Sequence, residues 1–173
     1  MNILFNKAPI VHNYEDWVKG DRRALFVTGL SGSGKTTAAK SISDKTGAKL
    51  VSLDQYIRKL VRNNSTEELK TDSDYNNAYY KRAIELILRD NPEGKLVVEG
   101  THIAWFDPEK IKKDHALMIL RTSLLNSTTN AVKRNLGKEH LAKWGKPNLD
   151  IPIKYNLQNY SGISNFAKKV DMS

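Results

Sequence analysis

Residues 29 to 36 read Gly-Leu-Ser-Gly-Ser-Gly-Lys-Thr, and no other stretch constrains the chain as tightly. The octapeptide satisfies G-x-x-x-x-G-K-[ST] in full, after the apolar run of residues 24 to 28 (ALFVT) and before a helical pattern over Thr36 to Ser43. A glycine loop between a buried strand and a helix can turn its backbone N–H groups onto a polyanion. Glycines at 29, 32 and 34 allow the angles and close approach that a Cβ would forbid. The helix adds its positive N-terminal end.

Such a loop is expected to hold the phosphates of a nucleoside triphosphate, with ATP as the donor, through Gly29, Ser31, Gly32, Ser33, Gly34, Lys35, Thr36 and Thr37. Lys35 is set to bridge the β and γ oxygens as a point charge and so to act in catalysis, while the Thr36 hydroxyl is a ligand for Mg²⁺. The motif is specific for nucleotide binding and says little about any one reaction.

Three further apolar runs read as strands: residues 49 to 53 (KLVSL), 95 to 99 (KLVVE) and 116 to 120 (ALMIL). None alternates strictly between apolar and polar residues, as expected of a parallel sheet covered on both faces. Helical patterns fill the gaps, at Asp74 to Arg89, Ser123 to Leu136 and a short piece over Glu109 to Lys113 introduced by Asp107 and Pro108. Strand and helix in alternation give an α/β fold with right-handed crossovers. Residues 137 to 152 are polar, lysine-rich and punctuated by Gly and Pro, and read as a mobile loop or lid. The whole chain, 1 to 173, reads as one domain with residues 1 to 21 as an N-terminal extension.

Ligands of parallel sheets bind at the carboxyl ends of the strands, which here carry Asp54 and Glu99. Asp54 is the expected general base toward an acceptor hydroxyl and Glu99 the expected metal-site acid, roles the two carboxylates can exchange. Tyr56, Arg58 and His102 follow those strand ends and are placed to line an acceptor pocket. Arg134 is the expected cation on the far side of the γ-phosphate, with Lys138 four residues on and Arg121 behind it. Trp144 is more readily a loop anchor than a stacking platform.

The charge is lopsided. The net value is +9, and residues 110 to 173 hold 12 Lys and Arg against 4 Asp and Glu. That surplus suits triphosphate, a phosphorylated acceptor or a nucleic-acid end. The chain has no cysteine, so disulfides and thiolate metal sites are excluded. No apolar run near the start approaches the length of a signal peptide or membrane span, and a soluble cytoplasmic protein without a membrane partner is expected.

With these residues in view, the chain resembles the small P-loop kinases, the group of nucleoside and nucleotide kinases, uridine kinase, shikimate and gluconate kinases, and polynucleotide 5′-hydroxyl kinases. The resemblance spans roughly residues 22 to 140. It implies a helix-covered parallel sheet in the order 2-3-1-4-5, for which Lys169 to Met172 is the candidate fifth strand. Asp54, in SLDQY, is similar to the catalytic aspartate of uridine-kinase-like and polynucleotide-kinase-like members, and VVEG at 97 to 100 to the strand whose glutamate serves Mg²⁺. AVKRN at 131 to 135, with Lys138, resembles the basic lid helix of polynucleotide kinases. Those enzymes place an arginine three residues after the aspartate, where this chain has Arg58 four after it, and an acid and a hydroxyl where it has Gly100 and Thr101. Transfer of the γ-phosphate to a hydroxyl or phosphate of a small polar acceptor, such as a nucleoside or nucleotide, therefore ranks above transfer to a polynucleotide end. An NTPase or a non-catalytic nucleotide-binding protein ranks lower, since neither a water-positioning glutamine motif nor a strand ending in Asp-x-x-Gly is visible.

Overall fold

The computed structural model describes residues 7–63, 72–137 and 150–171. Lys138, Trp144 and most of the expected lid lie outside the described residues. In chain order the elements are β1 (Lys7–His12), α1 (Tyr14–Lys19), β2 (Ala24–Thr28), α2 (Lys35–Thr46), β3 (Lys49–Ser52), α3 (Leu53–Asn63) and α4 (Asp72–Asp90). After them come β4 (Leu96–Glu99), a 3₁₀ turn (Thr101–Trp105), α5 (Pro108–Asp114), β5 (Ala116–Arg121), α6 (Leu124–Asn135) and α7 (Asp150–Asp171).

The five strands form one sheet in the order β1-β5-β2-β4-β3. β2 runs parallel to β4 and β5, and β3 runs parallel to β4, so the four anticipated strands occupy their expected places. Every residue of β2 and β4 is buried, as continuous apolar runs require of inner strands.

The fifth place departs from expectation. Lys169 to Asp171 are the end of α7, not a strand, while β1, from the N-terminal extension, pairs antiparallel with β5 at the edge. The physical reason is legible in α7: Ile163, Phe166, Ala167 and Val170 recur at helical spacing and all four are buried. β1 suits an edge because Pro9 cannot donate to a ladder and only Ile10 of its six residues is buried. Asp150 to Pro152, read as loop, begin α7, where a proline in the first turn interrupts no helical hydrogen bond.

Side-chain alternation along β2 divides the interior in two. Ala24 and Phe26 join Ile87, Val98, Ile103, Leu117, Phe166 and Val170 on the face covered by α4, α5 and α7. Leu25 and Val27 join Trp17, Ala39, Val97 and Ala116 on the face covered by α1 and α2. At about 25 cal/mol per Å² of apolar surface, these two layers are the main force fixing the strand ends that carry the site. The expected cap forms, with Asp107 accepting from the Glu109 amide at 3.1 Å, and Ser123 caps α6 by accepting from the Asn126 amide at 3.1 Å. Among the described residues no helix is long and apolar enough to cross a membrane.

Candidate active site

The glycine loop leaves β2 at Thr28 and enters α2 at Lys35. Gly32 has φ +81, and a Cβ there would meet the Ser127 carbonyl oxygen at 2.1 Å and the Ala131 nitrogen at 2.9 Å, so the loop lies directly on the backbone of α6. Gly34 has φ +87 with nothing within 4 Å of a Cβ position, so its requirement is conformational alone. It is the N-cap of α2 and supplies no side-chain cap, which leaves the helix end approachable by a polyanion.

Side chains from distant elements pin the loop from behind. Thr122 Oγ1 donates to the Ser33 carbonyl at 3.1 Å and Asn130 Nδ2 to the Gly32 carbonyl at 3.2 Å. Asn156 of α7, fully buried, accepts from the Ser31 amide at 3.1 Å and returns a bond from Nδ2 to the Ser31 carbonyl at 2.9 Å. Arg134 Nη2 donates to Ser31 Oγ at 3.1 Å, which puts its guanidinium at the loop. Ser33 Oγ is buried without a hydrogen-bond partner among the described residues, while the Ser33 amide donates to the Leu30 carbonyl at 3.0 Å.

Thr36 Oγ1 donates to Glu99 Oε2 at 3.3 Å, bringing together two of the three candidate metal ligands, from α2 and β4, the third being Asp54. Glu99 is buried and Thr36 exposed. Both donors are hard oxygens, and among the described residues no group of three or more His, Cys, Asp or Glu forms a metal cage. That set fits Mg²⁺, which takes one or two protein oxygens and completes its shell with phosphate and water.

Residues 25–100 match the family model described as an AAA domain, a span that holds the loop, Asp54 and Glu99. Among solved structures, shikimate kinase from Bacteroides thetaiotaomicron is 18% identical and superposes with a TM-score of 0.57 over 85% of this chain and 82% of that one. A gluconokinase from Sinorhizobium meliloti is 16% identical over 87% and 97% of the two chains, with a TM-score of 0.42. No curated protein matches by sequence. The chain has the fold of the small P-loop kinases. Within that fold, the edge place filled here by β1 is where the chain differs from the expected strand order.

Two more of the expected residues, Asp54 and His102, meet at the ends of β3 and β4. Asp54 lies in the first turn of α3, and its Oδ1 is 3.2 Å from His102 Nδ1 in the 3₁₀ turn after β4. Burial pushes the Asp54 carboxyl up, but the His102 hydrogen bond and the charges of His102, Lys35 and Arg58 outweigh it and hold the group below its ordinary range. Burial lowers the Lys35 ammonium, Glu99 and Asp54 oppose that, and Arg134 adds to it. Lys35 is thus within electrostatic reach of both carboxylates and of Arg134, and the loop, the acids and the basic helix share one site.

Arg58 is exposed and its Nε donates to its own helix at the Asp54 carbonyl, 3.3 Å away. Tyr56 packs against the main core with Lys59 over its ring, rather than beside Asp54. Arg121 donates to the Ala8 carbonyl at 2.8 Å, so it secures the edge strand. A cleft of ≈ 520 Å³ opens on that side between β1, the end of β5 and α7, with Leu30, Leu120, Tyr160 and Ile163 among its walls.

Sequence reasoning missed Tyr155 and Asn156. A signal existed: Asn156 and Asn159 fall on the same helical stripe as Ile163, Phe166 and Val170, and both are buried. A buried polar residue on an apolar face must find a partner, which marks it as structural glue or as part of a site.

Proposed function

We propose that this chain transfers the γ-phosphate of ATP, with Mg²⁺, to a hydroxyl of a small polar acceptor such as a nucleoside or nucleotide. The observation that carries the reading is that Lys35 of the loop lies in the field of Asp54, Glu99 and Arg134 together. A site that only bound nucleotide would need the loop and one metal acid, not a second carboxylate across from them.

In this reading the loop amides and the α2 N-terminus hold the β-phosphate, and Lys35 spans the β and γ oxygens. Thr36 and Glu99 would hold Mg²⁺, which when bound neutralises charge on the phosphates. Asp54 accepts the proton of the acceptor hydroxyl as the acceptor oxygen bonds to the γ-phosphorus, while the bond from that phosphorus to the β–γ bridging oxygen breaks and ADP leaves. Its side chain is 40% exposed, against 24% for His102, so of the two it is the one an acceptor can reach. Arg134, from α6, faces the charge that develops on the transferred group. The cleft walled by Leu30 and Tyr160 opens on the β1 side of the loop, away from Asp54, and suits the base of the donor.

The test is to incubate the protein with γ-labelled ATP, Mg²⁺ and a panel of nucleosides, nucleotides, sugars and 5′-hydroxyl oligonucleotides. Label is expected on a small acceptor, and Asp54→Asn should reduce that transfer by about 10²- to 10⁴-fold with ATP affinity changed no more than a few fold. Label released only to water would make the protein an NTPase. Label on oligonucleotide ends alone would overturn the small-acceptor assignment.

A further inference from the structure

Tyr155 and Asn156 are neighbours in α7, yet they reach opposite halves of the site. Consecutive helical residues diverge by about 100° around the axis, so an adjacent pair can fork onto two targets. Asn156 clasps both the amide and the carbonyl of Ser31 in the loop. Tyr155 Oη lies 3.3 Å from His102 Nε2, with the two rings edge to face at 6.0 Å, and the other ring nitrogen of His102 meets Asp54.

We infer that α7 positions donor and acceptor machinery together, Asn156 by holding the phosphate loop and Tyr155 by orienting Asp54 through His102. This rests on the reading of Asp54 as the base. An ionised carboxylate only accepts hydrogen bonds, so His102 donates from Nδ1, and in the neutral ring Nε2 is the acceptor that faces the phenol. Burial and the Asp54 charge, partly offset by a hydrogen bond with Thr101, push the Tyr155 hydroxyl up to about 12, which keeps it a donor. The direction of the chain Tyr155 to His102 to Asp54 fixes the ring tautomer. His102 is therefore a positioning residue: its Nδ1 is taken by the carboxylate and its Nε2 by the phenol, and the acceptor proton goes to Asp54.

The Thr28 hydroxyl, one residue before the loop, donates to the Thr101 carbonyl at 3.1 Å inside the core. The 3₁₀ turn carrying His102 is thus tied to the loop's own strand as well as to α7, so the two halves share a common frame.

The experiment uses the full chain, with the ¹⁵N ring signals of His102, ATP titration and steady-state kinetics as readouts. Tyr155→Phe is expected to shift the His102 Nε2 signal, which loses the phenol's hydrogen bond, while Nδ1–H stays donated to Asp54. It should also lower kcat about tenfold while ATP affinity stays within about twofold. Asn156→Ala should do the reverse, weakening ATP about tenfold and leaving the His102 signals in place. Because Asn156 is buried, Asn156→Ser is the companion variant should the alanine protein fail to fold. Unchanged His102 signals in Tyr155→Phe, or equal losses of ATP affinity in both variants, would overturn the assignment. The ring signals and ATP affinity need no acceptor, so they test α7 even if no phosphoryl transfer is found.

Discussion

The phosphate loop and the acid facing it are held in place by different means. The loop is eight consecutive residues whose conformation follows from three glycines, and whose back rests on α6 closely enough that a single Cβ at Gly32 would meet backbone at 2.1 Å. The acid is one residue, Asp54, steadied by His102 forty-eight positions later and, through it, by Tyr155 of α7. The first is a local structure that the rest of the fold supports. The second exists only once β3, β4 and α7 have been brought together, so it should yield more gradually to substitution.

The largest effect is expected where the two regions meet. Lys35 belongs to the loop by sequence and to the acids by charge, since Glu99 and Asp54 both oppose the lowering of its ammonium by burial. Lys35→Ala should cut phosphoryl transfer roughly 10³- to 10⁵-fold, the range for a cation acting on the moving phosphoryl group. It also removes a charge that helps hold the Asp54 carboxyl low, so both halves suffer at once. Transfer close to the wild-type rate, measured with labelled ATP, would separate the loop from the chemistry and end the proposed mechanism.

The loop side can be broken without touching any charged group. Gly32→Ala places a side chain at φ +81 and against the α6 backbone, whereas Gly34→Ala at φ +87 meets only open space. The left-handed conformation alone costs about 1–2 kcal/mol, so Gly34→Ala isolates that contribution and Gly32→Ala exceeds it. Thermal unfolding and ATP titration of the two variants should give a larger loss for Gly32→Ala in both. Equal losses would mean that the contact with α6 carries no weight, and the contrast between a locally built loop and a long-range acid site would lose half its basis.

How much of this the sequence discloses follows the same division. The loop, its strand and helix, and the positions of four strands are legible because each depends on residues a few positions apart: glycines for the turn, apolar runs for β2 and β4, Ser123 and Asp107 for helix starts; the order of those strands is legible only through the resemblance to the small P-loop kinases. Thr36 is legible from the loop motif and Glu99 from the rule that parallel strands present their carboxyl ends to ligand, and the structure sets them 3.3 Å apart. The edge strand is not, because β1 is mostly exposed and carries a proline, so it lacks the apolar run that marks an inner strand. Tyr155 and Asn156 escape notice for a related reason: their partners lie 53 and 125 residues away, and no local pattern encodes that separation. Tyr56 illustrates the converse, a residue near a strand end in sequence whose ring the helix turns into the core.

The acid side gives the smallest and most specific effect, in its response to pH. The Asp54 carboxyl sits below its ordinary value of 3.8 because the His102 hydrogen bond and the charges of His102, Lys35 and Arg58 together outweigh the upward push of burial. A carboxyl lowered on folding adds stability above its unfolded pKa and loses it as pH falls through the folded value, and the same ionisation sets the acid limb of activity when the group is the base. His102→Ala removes the hydrogen bond and the charge that do most to lower the carboxyl, and it leaves the upward push of partial burial. The acid limb of kcat/KM should then move to higher pH, and the plateau should drop about tenfold, since Asp54 remains but is less well aimed. ATP affinity should hold, because the loop keeps Thr122, Asn130 and Asn156. A plateau loss with an unmoved acid limb would show that His102 orients Asp54 without tuning it. An acid limb moved to lower pH would contradict the sign of the coupling and take the general base away from Asp54.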